Sequence, residues 1–335
     1  MRLSNCKVVI LMATYQGEKY IREQLESIIS QDFTNWELYI SDDGSNDDTL
    51  KILQEYKKSE QRIIEIIHNN GEHGAFANFF NLMRYVHDKI NKKYDFYFYC
   101  DQDDIWCADK IEKQLECMLA YKNNVNSTVP LLCYSDLQLI DGQGNMLGYT
   151  LGANSNIELT NPYNIFFAER YIWGTTMAHD NLLWDMLKIP DNIPRVLSHD
   201  NFVGRYAASF GKIIFIKEPL VLYRRHGGNV TNGIPHGYTL WQGIKRIFTK
   251  MPEVLNNHGG TYWASLYFIS HVAVKNKAII DIERCLKKGG ITGIRLAMKY
   301  HINTANNIFN RIAFFIILGT GVYKYSKKFH GDYRC

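Results

Sequence analysis

The sequence predicts an α/β fold, a mostly parallel sheet covered by helices on both faces, followed by a helical C-terminal region. Two observations predict the α/β part. From Val8 to Leu119 short apolar runs alternate with amphipathic helical patterns, which is how parallel strands joined by crossover helices are written. Three of the first four apolar runs end abruptly in polar, loop-forming residues, at Thr14–Gly17, Asp42–Ser45 and Asp101–Asp104. Sheets of this kind bind ligands beyond the carboxyl ends of their strands, so those three segments are expected to converge on one cleft. A third observation sets the tail apart. Residues 241–335 carry 15 Lys and Arg against 4 Asp and Glu, a balance of +11, in a chain whose net charge is +4; the other 240 residues therefore carry −7. An acidic front and a basic tail face different surroundings.

In order, Val8–Met12 reads as the first strand. Residues 18–31 follow as a helix with Ile21, Leu25, Ile28 and Ile29 on one face. Glu37–Ile40 is the second strand, a helix spans about 47–58, and Ile63–His68 is the third strand. Phe76, Phe79, Phe80 and Met83 mark the next helix. Asp95–Cys100 is the fourth strand, before a helix carrying Ile111, Leu115, Met118 and Leu119. Past residue 130 the alternation weakens. Leu131–Ser135 and Leu137–Ile140 read as two strands, with Asp-Gly-Gln-Gly at 141–144 as a turn. Residues 150–165 read as a loop, Trp173–Ala178 as a strand, His199–Phe210 as a helix, and Ile213–Ile216 and Leu220–Tyr223 as two short strands.

The 335 residues suffice for a large core and one or two domains, and 46% hydrophobic content is ordinary for a globular protein. Aromatic side chains are abundant, with 22 Tyr, 17 Phe and 6 Trp, which suits stacking on bases or sugars as well as ordinary cores. Seven cysteines without a Cys-x-x-Cys pair argue against a disulfide framework or zinc site and fit a reducing, cytoplasmic compartment. The chain enters a strand almost at once, which argues against a signal peptide.

The most informative run is Asp95–Trp106, an aromatic strand that ends in Asp101, Asp103 and Asp104. Acids at the end of a buried strand cost free energy unless a cation neutralises them. A divalent metal carrying a phosphate ester is the expected partner, since hard cations prefer carboxylate oxygens. The plain alternative is an acidic loop capping the helix that begins near Asp109.

The segments together resemble the family 2 glycosyltransferases. Ala-Thr-Tyr-Gln-Gly-Glu (13–18), Ser-Asp-Asp-Gly-Ser-Asn-Asp (41–47) and Asp-Gln-Asp-Asp-Ile-Trp (101–106) carry the resemblance in that order. Ser-His-Asp-Asn-Phe (198–202) and Tyr-Arg-Arg-His-Gly-Gly-Asn-Val (223–230) look like the bacterial rhamnosyltransferase-like branch. The resemblance spans about residues 7–231. It implies a GT-A-type, Rossmann-like catalytic domain over 1–235, a nucleoside-diphospho-sugar donor, Mg²⁺ or Mn²⁺, and transfer with inversion.

By that resemblance, Asp103 ligates the metal directly and Asp101 contacts ribose or a metal-bound water. The metal bridges both phosphates and stabilises the departing diphosphate. Thr14 and Tyr15 lie just past the first strand in the donor site, where the Tyr15 ring is placed to stack on a pyrimidine. Asp42 is expected to accept the N3–H of uracil or thymine, leaving a turn role to Asp43. Glu18 binds ribose or stabilises the N-terminus of the first helix. Asp104 braces the following helix. Trp106 lines the sugar pocket or is buried. Asp200, opening a helix, is the candidate base for the acceptor hydroxyl, with His199 beside it. Arg224 and Arg225 are expected to close over the diphosphate, and His226 to complete the metal shell. Arg225 departs from the pattern, since related sequences often hold a neutral polar residue there, which leaves open which side chain touches phosphate.

The tail, 236–335, lies outside the resemblance. Trp241, Ile244, Ile247 and Phe248 share a helical face, with Lys245, Arg246 and Lys250 elsewhere around it. Ile312–Leu318 is apolar and followed by Lys324, Lys327 and Lys328, too short to span a bilayer. Basic amphipathic helices lie on anionic leaflets, so the expected location is the inner face of the cytoplasmic membrane, as suits a lipid-linked saccharide acceptor. The alternative is packing on the catalytic domain or on a second subunit. No nucleic-acid recognition motif accompanies the charge.

The favoured reading is transfer of rhamnose from dTDP-rhamnose during bacterial surface-polysaccharide synthesis. The rivals are a UDP-hexose donor and a non-catalytic sugar-nucleotide or glycan-binding protein of the same fold. A nucleotidyltransferase is disfavoured, because no Gly-rich triphosphate loop follows the first strand.

Overall fold

The structure, a computed structural model, describes residues 2–125, 128–150, 152, 161–168, 172–192, 194–227, 251–304 and 308–331. The chain divides into two compact units. The first comprises Met1–Leu151, Ile172–Ile193 and Phe210–Asn232; the second comprises Gly152–Tyr171, Pro194–Ser209 and Gly233–Cys335. The second unit thus takes two segments from inside the predicted 1–235 domain as well as the tail.

The first unit is built on one sheet. Its strands are β1 (Val8–Thr14), β2 (Trp36–Asp42), β3 (Ile63–His68), β4 (Phe96–Cys100), β5 (Ile105–Trp106), β6 (Leu131–Ile140), β7 (Met146–Thr150), β8 (Met177–Asp180) and β9 (Lys212–Arg224). They lie in the order β3-β2-β1-β4-β8-β6-β9-β5, with β7 paired to β6. The β3-β2-β1-β4 half is parallel throughout, as predicted. The other half is mixed: β8 runs antiparallel to both β4 and β6, β9 parallel to β6, and β5 antiparallel to β9.

All seven residues of β1 are buried. A strand covered on both faces needs apolar side chains on both, which is why Val8–Met12 reads as a continuous run instead of an alternation. The connecting helices are α1 (Ile21–Ile29), α2 (Thr49–Ser59), α3 (Ala75–Lys89) and α4 (Lys110–Val125). In α3, Phe79, Phe80 and Met83 are buried, and the helix packs on β1 and β2.

Two predicted strand pairs are single strands. Residues 131–140 form one strand, and 212–224 form another. The polar interruptions that suggested breaks coincide with a register shift. Ser135 pairs with Ile216 and Asp136 with Pro219, so Lys217 and Glu218 are extra residues in β9. Pro219, lacking an N–H, sits where the ladder is already disturbed. The predicted strand at Trp173–Ala178 is instead a 3₁₀ turn, Gly174–Thr176, leading into β8. The predicted turn after β6 is present: the Asp141 carboxylate accepts from the Gln143 and Asn145 amides, and Gly144 takes φ +86. A short helix, α5 (Asn181–Met186), follows β8.

Described elements of the second unit are helical: α6 (His199–Phe210), α7 (Met251–His271), α8 (Lys277–Lys288), α9 (Gly290–Lys299), α10 (Ile308–Thr320) and short 3₁₀ turns. Aromatic rings make its core. Phe268 of α7 meets Phe166, Phe202 and Tyr206, and Tyr262 meets Tyr323 edge-on at 4.8 Å. Gly259 of α7 leaves no room for a Cβ beside Ser326. The predicted helical face at Trp241, Ile244, Ile247 and Phe248, and most of the predicted loop at 150–165, lie outside the described residues. Ile312–Leu318 falls within α10. Among the described residues no helix is long and apolar enough to cross a membrane.

Candidate active site

Parallel pairing puts Thr14 beside Asp42 at the carboxyl ends of β1 and β2. Asp42 is fully buried. One carboxylate oxygen accepts from Thr14 Oγ1 at 3.0 Å and Ser45 Oγ at 2.6 Å, the other from the Gly44 and Ser45 amides at 3.1 and 2.8 Å. Gly44 supplies the left-handed conformation, φ +87, that this turn requires. The turn role expected of Asp43 therefore falls to Asp42. A carboxylate buried at a strand end must take donors close by, and this one takes four. Asp43 turns to the loop after β3, accepting from Asn69 Nδ2 at 2.5 Å and the Gly74 amide at 2.7 Å, with His73 Nδ1 at 2.9 Å.

The loop after β1 is held from the aspartate motif. Gln102 Oε1 accepts from the Tyr15 amide at 2.7 Å, and Gln102 Nε2 donates to the Tyr15 carbonyl at 2.7 Å. A Cβ on Gly17 would collide with the Gln102 amide, so the glycine makes room for this clamp. The Tyr15 ring itself is 53% exposed. Glu18 does not serve the first helix: its carboxylate accepts from the Asp48 amide at 2.9 Å, at the start of α2.

β5 follows the aspartate motif at once and pairs with the end of β9, Ile105 opposite Leu222. This pairing carries Arg224 and His226 to Asp103 and Asp104. His226 Nε2 lies 2.7 Å from an Asp103 carboxylate oxygen, and its ring packs 4.9 Å from that of Tyr20. Asp101 and Asp103 are partly exposed, whereas Asp104 is fully buried. Asp104 accepts from the Arg224 amide at 3.1 Å. Burial, and then the charges of Asp103 and Asp101, push its carboxyl well above the usual range. Trp106 is buried, with the Lys110 ammonium 4.2 Å from its ring centre, so it belongs to the core.

The two arginines differ. Arg224 is 1% exposed, donates from Nε to the Asp103 carbonyl at 2.9 Å, and pairs through Nη2 with Glu23 of α1 at 2.5 Å. Its guanidinium also covers the Tyr20 ring at 4.6 Å. It braces the motif against α1. Arg225 follows β9 with its amide on the Ile140 carbonyl, and its Nη1 is buried with no hydrogen-bond partner among the described residues.

Among the described residues no three His, Cys, Asp or Glu side chains are grouped to hold a metal ion. The adjacent Asp103 carboxylate and His226 imidazole nonetheless fit a divalent ion whose other positions come from diphosphate oxygens and water. Such ions commonly take only one or two protein ligands beside substrate phosphates, and an O,N donor pair suits Mn²⁺ or Mg²⁺.

Asp200 lies in the second unit, in the first turn of α6. Its carboxylate accepts from Ser198 Oγ and from the Asn201 amide. His199 is buried, and burial pushes its imidazole down to about 4 against the opposing charge of Asp200. It is a neutral core histidine. Arg205, further along α6, is 2% exposed and is pushed down to about 10 by burial.

Residues 9–180 match the family model described as glycosyl transferase family 2. The chain belongs to that family. Over 228 residues it is 32% identical to a dTDP-rhamnosyl transferase (RfbG) of Shigella flexneri, covering 65% of this chain and 72% of that protein. It is thus a rhamnosyltransferase-like family 2 glycosyltransferase. A glucosyltransferase of Escherichia coli (WfgD), named for UDP-Glc and an α-D-GlcNAc-diphosphoundecaprenol acceptor, is 33% identical over 119 residues, 36% of this chain and 43% of that one. In fold it resembles S. aureus TarS 1–349 in complex with UDP-GlcNAc, with TM-score 0.52 and 14% identity over 96% of this chain and 92% of that one. GalNAc-T7 with UDP, GalNAc and Mn²⁺ gives TM-score 0.50 and 14% identity over 93% of this chain and 57% of that one. The GT-A-type expectation holds.

The sequence reading missed Gln102 as a clamp although it stands inside the motif, because nothing in one sequence says where a polar side chain turns. Glu23 and Tyr20 carried no signal either; they matter only because Arg224 reaches them.

Proposed function

We propose that this glycosyltransferase is inverting and metal-dependent, and moves rhamnose from dTDP-rhamnose to a lipid-linked saccharide at the cytoplasmic membrane surface, in the synthesis of a bacterial surface polysaccharide. The observation that carries the reading is the Asp103–His226 pair, 2.7 Å apart at the carboxyl end of β4 and next to the loop that presents Tyr15. The likeness to the S. flexneri dTDP-rhamnosyl transferase over 72% of its length supports rhamnose as the sugar.

In this reading Tyr15 stacks on the base from a loop whose shape Thr14, Asp42, Ser45 and Gln102 maintain. With its oxygens used by the turn, Asp42 acts on the base chiefly by shaping that loop. Asp101 contacts the ribose. Arg225 turns its unpaired Nη1 to the diphosphate, while Arg224 keeps Asp103 in place. Asp103 and His226 would hold a divalent ion, which neutralises charge on the departing diphosphate. Asp200 takes the proton of the acceptor hydroxyl as that oxygen attacks the anomeric carbon opposite the leaving group.

The test is a donor-hydrolysis screen with Mn²⁺ or Mg²⁺, comparing dTDP-rhamnose with UDP-sugars for wild type, Asp103→Ala and Asp200→Ala. Metal-dependent release of dTDP, abolished in Asp103→Ala, is the expected result. Release of UDP instead would transfer the reading to a UDP-hexose donor, as the likeness to the UDP-Glc-named E. coli enzyme would allow. Binding of no donor, by calorimetry, would overturn the donor site.

A further inference from the structure

The α9–α10 pair carries exposed apolar stripes where a soluble helix pair would carry polar residues. On α9, Ile291 and Met298 are 72% and 61% exposed; on α10, Ile312 and Ile316 are 50% and 56% exposed. Each pair is spaced to share a helix face, i and i+7 on α9 and i and i+4 on α10. The helices meet through small residues. Gly293 lies against Leu318, and a Cβ on Gly319 would come 2.8 Å from Ile294 Cδ1. Ile294 is three residues from Ile291 and four from Met298, and Gly319 is three from Ile316, so both stripes border this crossing. The exposed patch is therefore continuous with the buried seam between the helices.

The two helices themselves carry charge of one sign, Arg295, Lys299 and Arg311, although Lys299 pairs with Asp281 of α8 at 2.6 Å. From residue 284 to 331 the sequence has nine Lys and Arg and no Asp or Glu. Arg295 and Arg311 are exposed on the same two helices, next in sequence to Ile294 and Ile312. Tyr325, 89% exposed, stands between Lys324 and the Lys327–Lys328 pair. An apolar face on two helices that carry Arg295 and Arg311 and no acid of their own is complementary to an anionic bilayer, where side chains enter the acyl boundary and cations meet headgroup phosphates.

We infer that the α9–α10 face, with Ile291, Met298, Ile312 and Ile316 as its apolar contacts and Arg295 and Arg311 as its cations, docks this enzyme on the anionic surface of a lipid bilayer. The inference deepens the proposed use of a lipid-linked acceptor and names the part of the chain that reaches the lipid.

The experiment is co-sedimentation of the full chain with vesicles of phosphatidylethanolamine and phosphatidylglycerol, and with vesicles of phosphatidylcholine alone. It uses wild type, Ile312→Ser/Ile316→Ser and Arg295→Glu/Arg311→Glu, with light scattering for oligomeric state and circular dichroism for fold. Wild type is expected to bind the anionic vesicles and lose binding as salt rises, and each double variant to bind about tenfold or more weakly while remaining folded. If wild type binds the vesicles and both variants bind equally well, the face is wrong though a membrane location survives. If wild type binds no vesicle, the membrane reading fails as well. A dimer of wild type that dissociates in the isoleucine variant would assign the face to a second copy and overturn the proposal. Hydrolysis of donor in solution by all three proteins reports separately on the donor site.

Discussion

The second and fourth strands both end in paired acids, yet the two ends do different work. At the end of β2, Asp42 spends its carboxylate on four donors of its own loops and Asp43 on the loop after β3. At the end of β4, Asp103 meets only His226 through its side chain among the described residues, and both stay partly exposed. The difference lies in the turns. Gly44 and Ser45 bend their amides back onto Asp42, whereas residues 105 and 106 leave at once as β5 and take their amides away from the acids. An acid whose turn supplies its hydrogen bonds is architecture; an acid whose turn withholds them is available to a ligand.

The largest expected effect is at the open pair. Asp103→Ala should lower donor turnover by about 1,000-fold or more with a melting temperature within a few degrees of wild type, read by donor hydrolysis and calorimetry. Asp42→Ala should do the reverse in kind. Four donors at a buried site lose their acceptor, so unfolding should become easier by about 2–4 kcal/mol, measured by urea titration. If Asp42→Ala were as stable as wild type while losing donor binding, the contrast would be broken.

Gln102 links the two ends of the comparison. Gln102→Ala removes both clamping hydrogen bonds from Tyr15, and should raise the KM for donor about tenfold with a smaller change in kcat; Gln102→Glu, which keeps the acceptor for the Tyr15 amide and loses the donor to its carbonyl, should fall between.

A pH series separates fold from site through the histidines. His179 is buried beside the stacked Tyr97–Trp184 pair, 5.3 Å from the Tyr97 ring and 2.9 Å from the Tyr99 hydroxyl, and burial pushes it down to about 4. Its folded value lies below the ordinary 6.5, so between these limits the unfolded chain takes a proton that the folded chain refuses. Stability should therefore fall as pH drops from 6.5 towards 4, with His199 and His258 adding in the same sense. The slope should be about 1.4 kcal/mol per pH unit for each such group at most. His179→Gln should flatten it, and His226→Gln should weaken turnover. The smallest effect is expected at Asp104→Asn. The amide keeps an acceptor for the Arg224 N–H, and a few-fold loss of turnover at most should result.

The parallel half of the sheet was legible because β1, β2 and β4 are apolar runs cut off by loop residues, a pattern that solvent and burial impose locally. The strands β6 and β9 were each read as two, since Ser135-Asp136 and Lys217-Glu218-Pro219 look like breaks when the partner strand that absorbs them is out of view. The candidate site was legible in its residue types and not in its assignments. Asp42 and Asp43 are chemically alike, and only the turn geometry decides which faces inward. Arg224 looked like an exposed phosphate ligand, but Glu23, about 200 positions away, takes it into the fold. Local patterns show where chemistry collects; long-range pairing decides which members remain available for it.

The most direct test of the central claim is a titration of Mn²⁺ followed by electron paramagnetic resonance, with and without dTDP, on wild type, Asp103→Ala and Asp42→Asn. Wild type is expected to bind Mn²⁺ more tightly with dTDP present, Asp103→Ala to lose more than about 100-fold of that affinity, beyond what an outer partner of a metal site contributes, and folded Asp42→Asn to lose far less. Equal Mn²⁺ affinity in wild type and Asp103→Ala would contradict that claim.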